Sequence, residues 1–134
     1  MSLREISLID YEKLIDFWQD NYFVNEMDSK KRFELFLTKN PNLSVLIEDN
    51  GKIIGTALGS FDGRRGYLQK VVVSQAYRKK GIGQQLVKEI IARLQALGTT
   101  YIPISVEDTY VHFYQTCGFK KTKQISMNME IKQD

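Results

Sequence analysis

This sequence predicts a mixed α/β domain with a central meander, and three observations carry the prediction. Asn50-Gly51 separates two apolar runs, a strong short-range signal for a hairpin. A second turn at Asp62 to Gly66 leads into an aromatic and β-branched run, Tyr67 to Val73, which reads as a largely buried strand. That run passes through Tyr77-Arg78-Lys79-Lys80-Gly81-Ile82-Gly83 into a helical face made by Ile82, Leu86, Val87, Ile90, Ile91, Leu94 and Leu97.

In chain order, Leu3 to Leu8 reads as a first strand. Asp10 is placed to cap a helix whose face is Tyr11, Leu14, Ile15 and Trp18. A loop from Asn21 to Met27 follows. Asp28 or Ser29 then caps a second helix carrying Phe33, Phe36 and Leu37, and Pro41 ends it. Leu43 to Glu48 and Lys52 to Phe61 are the strands of the first hairpin. After the Ile82 helix, Gly98 is placed as its C-terminal stop. Ile102 to Val106 reads as a short strand, and Phe113 to Cys117 as the end of a short helix closed by Gly118. Lys120 to Thr122 and Gln124 to Ile131 read as two last strand segments.

The chain has 134 residues, 43% of them apolar and 26% charged, which suits one globular domain over residues 1–134. No apolar run approaches the roughly 20 residues of a membrane span, and MSLREISLID lacks the apolar centre of a signal peptide. A cytoplasmic protein is expected. Cys117 is the single cysteine, so no internal disulfide forms. One histidine, His112, and no cluster at ligand spacing argue against a metal site. The net charge of +3 is too mild to imply nucleic acid.

The turn before the Ile82 helix carries the chemistry. A turn entering a helix presents unpaired N–H groups, and the helix dipole adds positive potential there. Gly81 and Gly83 let a ligand approach the main chain, with Arg78, Lys79 and Lys80 beside them. Such a place suits a pyrophosphate. It is not a P-loop, since no Gly-Lys-Ser/Thr follows a four-residue spacer. Nor is it a dinucleotide fingerprint, because Leu86 stands where the third glycine belongs.

Two motifs in this order resemble the GNAT superfamily of N-acetyltransferases. Arg78-Lys79-Lys80-Gly81-Ile82-Gly83 is similar to its acetyl-CoA motif, and Phe113-Tyr114 through Gly118-Phe119 to its later Phe-Tyr-x-x-x-Gly-Phe/Tyr motif. The hairpin from Phe61 to Gly66 further resembles small bacterial members. The resemblance implies the order β-α-α-β-β-β-α-β-α-β, a central mixed sheet flanked by helices, and acetyl-CoA as cosubstrate. It implies that Arg78, Lys79, Lys80, Gly81, Ile82 and Gly83 hold the CoA moiety. Main-chain groups of Val71, Val72 and Val73 meet the pantetheine arm and thioester carbonyl. Tyr114 matches the frequent general acid. The other partner is a small-molecule or peptide amine, with no nucleic acid and no membrane, in a monomer or homodimer.

The sequence also departs from that pattern. Gln69 occupies the position where many members carry a glutamate base, and an amide takes no proton at neutral pH. Glu48, Glu107 and Asp108 are candidate distant bases acting through water. A substrate arriving deprotonated is the other possibility. Glu107 and Tyr110 stand where the family often has an asparagine and a small residue. The acceptor site implied by the resemblance lies among the first two helices, the Asn21–Met27 loop and the Asp62–Gly66 hairpin. Trp18, Tyr22 and Phe23 would wall it, Glu26 and Asp28 would attract a cation, and Arg64 and Arg65 would favour an acidic neighbour. Two other functions compete: a non-catalytic acetyl-CoA-binding module, and a nucleic-acid binder using Arg78 to Lys80.

Overall fold

The computed structural model describes residues 1–133. The chain forms two compact units, Met1–Ile104 and a second beginning at Ser105. In the first unit the elements run β1 (Ser2–Glu5), α1 (Tyr11–Asn21), α2 (Lys30–Lys39), β2 (Ser44–Asp49), β3 (Lys52–Phe61), β4 (Gly66–Val73) and α3 (Ile82–Ala96). The second holds one short helix, α4 (Val111–Thr116). No helix among the described residues is long and apolar enough to cross a membrane.

The sheet has the order β1-β2-β3-β4, with every pairing antiparallel. Both hairpins form where turn chemistry put them. Asn50 and Gly51 take φ values of 52° and 77°, which sets the tight turn between β2 and β3. Between β3 and β4 the Asp62 carboxylate accepts the N–H groups of Arg64 at 2.8 Å and Arg65 at 2.7 Å, so the side chain builds the turn. Those donors, Arg65 first, hold the Asp62 carboxyl below the usual carboxylate range.

Side-chain alternation along β2 splits the core in two. Leu43, Val45 and Ile47 join Ile82, Leu86, Ile90 and Leu94 of α3 on one face. Leu46 points the other way and joins Leu14, Phe17 and Trp18 of α1 with Phe33 of α2. The face under α3 is unusually close. A Cβ at Gly55 would lie 2.8 Å from Leu86 Cδ1, one at Gly59 would lie 2.7 Å from Ile90 Cγ2, and one at Gly66 would lie 2.7 Å from Leu94 Cδ1. Three positions without side chains therefore face one stripe of α3 spaced by four residues.

Caps behave as the sequence predicts at three of four helices. Ser29 Oγ accepts the Arg32 N–H at 3.3 Å and starts α2. After α3, Gly98 N–H donates to Gln95 O and Thr99 N–H to Leu94 O. After α4, Gly118 N–H donates to Gln115 O and Phe119 N–H to Tyr114 O. Both are Schellman endings, with φ of 91° at Gly98 and 103° at Gly118. Asp10 differs from expectation. Its carboxylate makes no cap bond to α1; it accepts the Ser7 N–H at 2.9 Å and both terminal nitrogens of Arg4, at 2.8 and 3.0 Å. A buried carboxylate is held better by a guanidinium fork than by one amide. The Arg4 bond, ahead of the other causes, lowers the Asp10 pKa from its ordinary value.

The expected strands at Ile102 to Val106, Lys120 to Thr122 and Gln124 to Ile131 are not formed among the described residues. All described strand pairs are antiparallel, where a mixed sheet was expected. The alternation of Ile125, Met127, Met129 and Ile131 is present in the sequence, but these side chains stay exposed. Alternation describes a strand only once a neighbouring main chain supplies the ladder.

The glycine-lined seat of α3 is testable. Gly59→Ala should lower the unfolding free energy by about 2–3 kcal/mol in urea titration. Its new Cβ would lie 2.5 Å from the Leu43 carbonyl oxygen, a main-chain atom that cannot rotate away as a side chain can. The atoms nearest a new Gly66 Cβ belong to the side chains of Leu94 and Thr99, which can shift, and Gly66→Ala should cost less than about half as much. Equal costs at the two positions would contradict the argument.

Candidate functional site

The site is built where β4 ends and α3 begins. β4 pairs regularly with β3 at Leu58–Gln69 and again at Thr56–Val72, with one extra residue accommodated between them. Ala57 thus faces both Lys70 and Val71, a bulge in β4. Lys70 has φ of 49°, in the left-handed region where glycine is usual. Its carbonyl accepts from Thr56 Oγ1 at 2.8 Å, and Thr56 Oγ1 accepts from Trp18 Nε1 at 3.0 Å. A buried indole and a buried hydroxyl are both satisfied by holding the bulge in place.

Beyond the bulge, Val72 packs its side chain into the α1/α2 cluster, while Val71 and Val73 pack against the α3 cluster. The valine side chains thus serve the core, and main-chain groups are what this stretch offers to chemistry. Val73 pairs with Gly55, and its carbonyl accepts from Arg78 Nε at 3.0 Å. That bond folds the motif arginine back on the strand that precedes it.

The turn itself is supported from below. Tyr77 Oη donates to Asp49 Oδ2 at 2.6 Å, tying the turn to the end of β2. This hydrogen bond to a carboxylate raises the Tyr77 pKa above that of a free phenol. The Lys80 ammonium lies 5.5 Å from the centre of the Tyr77 ring. Arg78, Lys79, Lys80 and Gly81 are exposed, while the Ile82 side chain is buried in the α3 cluster.

Gly81 is the N-cap of α3, with φ of 81° and no side-chain cap. The first helical bond runs from Gln85 N–H to Gly81 O at 3.1 Å. Hence the N–H groups of Ile82, Gly83 and Gln84 have no acceptor within the helix. The first turn holds no acidic residue, and nothing lies within 4 Å of where a Gly81 Cβ would be. The arrangement concentrates donors and positive potential at one open point, and an anionic ligand is what it can hold.

Other residues from the sequence reading fall elsewhere. Gln69 is exposed on β4. Glu48 on β2 is engaged by Arg4 Nε, which occupies it in an ion pair. Trp18 is fully buried, so the aromatic surface near the α1–α2 loop comes from Tyr22 and Phe23, whose rings touch at 4.2 Å between centroids. Arg65 stacks over Tyr101 at 5.4 Å. Asp28 is not a free attractor of cations; it pairs with Lys70 at 3.1 Å. Lys70 is the residue the sequence did not single out.

In the second unit, Tyr114 stands on α4 between two edge-on rings, Phe113 at 4.9 Å and Phe119 at 5.7 Å. The Schellman ending at Gly118 brings Phe119 back to it. Glu107 and Asp108 are exposed at the start of a single 3₁₀ turn before α4, and His112 is exposed on the helix. Among the described residues no group of His, Cys, Asp and Glu is placed to hold a metal ion.

Comparison with known proteins bears on both motifs. The sequence model described as the acetyltransferase (GNAT) family matches residues 11–119, which include the α3 turn and the Tyr114 motif. Solved structures share the fold. Glucosamine-6-phosphate N-acetyltransferase of Arabidopsis thaliana aligns at 19% identity over 98% of each chain, with a TM-score of 0.75. An aminoglycoside 6'-N-acetyltransferase of Acinetobacter haemolyticus aligns at 14% identity over 99% of this chain and 100% of its own, at 0.76. A predicted acetyltransferase of Clostridium acetobutylicum, determined with acetyl-CoA, aligns at 17% identity over 95% of each chain, at 0.78. The match over most of its length shows that the chain belongs to the GNAT family of acetyltransferases, whose cosubstrate is acetyl-CoA.

Proposed function

We propose that this protein is an acetyl-CoA-dependent N-acetyltransferase that moves an acetyl group to a primary amine by direct attack in a ternary complex. The observation that carries the reading is the uncapped, carboxylate-free N-terminus of α3, entered through Gly81 and set at the end of a bulged strand. Its family supports acetyl transfer. The nitrogen acceptor, a small molecule or a peptide, is the finer part of the proposal. So are a cytoplasmic location and a monomeric or homodimeric state.

The pyrophosphate of the donor fits the chemistry of the turn: three N–H groups without helical partners, open space at Gly81, and flanking Arg78, Lys79 and Lys80. In this reading the holders are Arg78, Lys79, Lys80, Gly81, Ile82 and Gly83, the last two through the main chain. Acetyl-CoA supplies the acetyl group and a thiolate leaving group. Main-chain groups of Val71, Val72 and Val73 would hold the thioester carbonyl, the kind of donor worth about 10²–10³ in rate. Tyr114 would hydrogen-bond the departing sulfur through its hydroxyl. No carboxylate replaces Gln69 on β4, so the amine's proton leaves to solvent or to a distant base. That same absence favours the second reading, a non-catalytic acetyl-CoA-binding module. Thiol release from acetyl-CoA across a panel of amines separates the two.

Three outcomes are expected. Gly83→Val keeps a residue that helical backbone accepts and should weaken CoA binding by about tenfold or more in calorimetry, with the melting temperature little changed; unchanged affinity would remove the α3 turn from the site. Tyr114→Phe should lower kcat about 10–10³-fold with little change in CoA affinity, and a full-speed variant would leave Tyr114 as packing alone. If solvent removes the proton, kcat/KM should keep rising with pH toward the amine's own pKa, whereas a protein base bends the profile earlier. Gln69→Glu should then raise activity near neutral pH; loss of activity in the folded variant would mean that this position needs a neutral amide.

A further inference from the structure

The bulge in β4 is held by a side chain that has no local reason to be there. Glycine enters the left-handed region freely and lysine does not. Strain of this kind persists only where surrounding contacts over-determine it. Here the contacts reach far along the chain. Lys70 Nζ donates to the Phe23 carbonyl at 2.9 Å and to Asp28 Oδ2 at 3.1 Å. The ammonium lies 4.9 Å from the Trp18 ring centre, 5.3 Å from Tyr22 and 4.7 Å from Phe23. The side chains of Lys70 and Asp28 are each only 11% exposed. A desolvated pair of this sort is costly to break from one side, because the remaining charge is left without a partner. The main chain of Lys70 is gripped separately, by the relay from Trp18 through Thr56.

We propose that Lys70 is a positioning residue that latches the α1–α2 loop, from Tyr22 to Asp28, to the strand bulge beside Val71, and so sets where the acceptor amine stands. The proposal rests on the acetyltransferase reading. The donor's turn belongs to the α3 face of the sheet, while the loop belongs to the α1/α2 face. In this reading the thioester end of acetyl-CoA and the acceptor both reach the Val71–Val73 main chain; the acceptor comes past the loop, while the CoA pyrophosphate is held at the α3 turn, away from the latch. Asp28 and the Phe23 carbonyl take two of the three N–H groups of the ammonium, and three aromatic rings surround it, so Lys70 acts through the loop, and like charge keeps it from binding a cationic amine itself.

Lys70→Gly tests this, since glycine keeps the left-handed backbone and deletes only the latch. Amide exchange in the 22–28 segment, followed by mass spectrometry, should accelerate about tenfold or more. The Kd for CoA should stay within about twofold, while the acceptor KM rises about tenfold or more and kcat moves less than about threefold. Lys70→Arg should recover most of the protection and of the KM. Asp28→Asn should loosen the segment without touching the bulge, its carboxylate also holding the Asn25 N–H within the loop, and it should loosen the segment less in the Lys70→Gly background than it does alone. Unchanged exchange in both single variants would overturn the latch. Faster exchange with an unchanged acceptor KM would overturn its link to the acceptor. If the unaltered protein acetylates no amine, the acetyltransferase reading falls and takes the acceptor role with it, while the exchange data still decide the latch.

Discussion

The close seat of α3 on the sheet is the constraint from which the rest follows. Gly55, Gly59 and Gly66 present no side chains where Leu86, Ile90 and Leu94 descend, so the helix lies nearer the strands than any Cβ would permit. Leu86, Val87, Ile90 and Leu94 are each fully buried. Burying side chains of this size contributes about 1.5–3 kcal/mol apiece. The seat fixes position as well as stability. Ile82 and Leu86 sit over Gly55, and Gly55 pairs with Val73. The uncapped start of α3 is thereby set at the end of β4, and its unpaired N–H donors are placed by apolar packing.

The opposite face of the sheet also has an apolar core, and two polar relays run beside it to the bulge in β4. Trp18, Thr56 and the Lys70 carbonyl form one relay, and Lys70, Asp28 and the Phe23 carbonyl form another. Both converge on one residue in a sparsely populated backbone conformation. Proteins that follow local rules elsewhere tend to break them where geometry matters for function. The break here falls one residue before the main chain proposed to meet the thioester. The two faces thus differ: one sets the start of α3 by shape, and on the other hydrogen bonds and charge fix the bulge and the neighbouring loop.

Most of the first unit was legible in the sequence because its signals are local. Asn50-Gly51 needs only its own dihedrals to make a turn, and Gly98 only the last turn of the helix before it. Ser29 caps α2 with an atom three residues from its donor. The Gly81 turn was legible for the same reason: an N-terminus without a side-chain cap is a local property. Asp10 shows where that logic ends. It has the identity and spacing of a cap, yet Arg4 engages its carboxylate because β1 brings a guanidinium within reach. The same arginine also pairs with Glu48, a contact that no residue near either of them in sequence announces.

By itself, the sequence determined the helices, the two hairpins, the α3 turn and the Tyr114 motif, since each is specified by residues within a few positions of one another. The tertiary structure alone decided which apolar alternations became strands. Val45 and Ile47 have ladder partners, whereas Ile125 and Met127 remain exposed. It alone decided which charges are engaged, and it put Lys70 against Asp28, 42 residues earlier in the chain. A hydrogen-bond ladder or a buried ion pair needs two segments in one place, and only the folded core brings distant segments together.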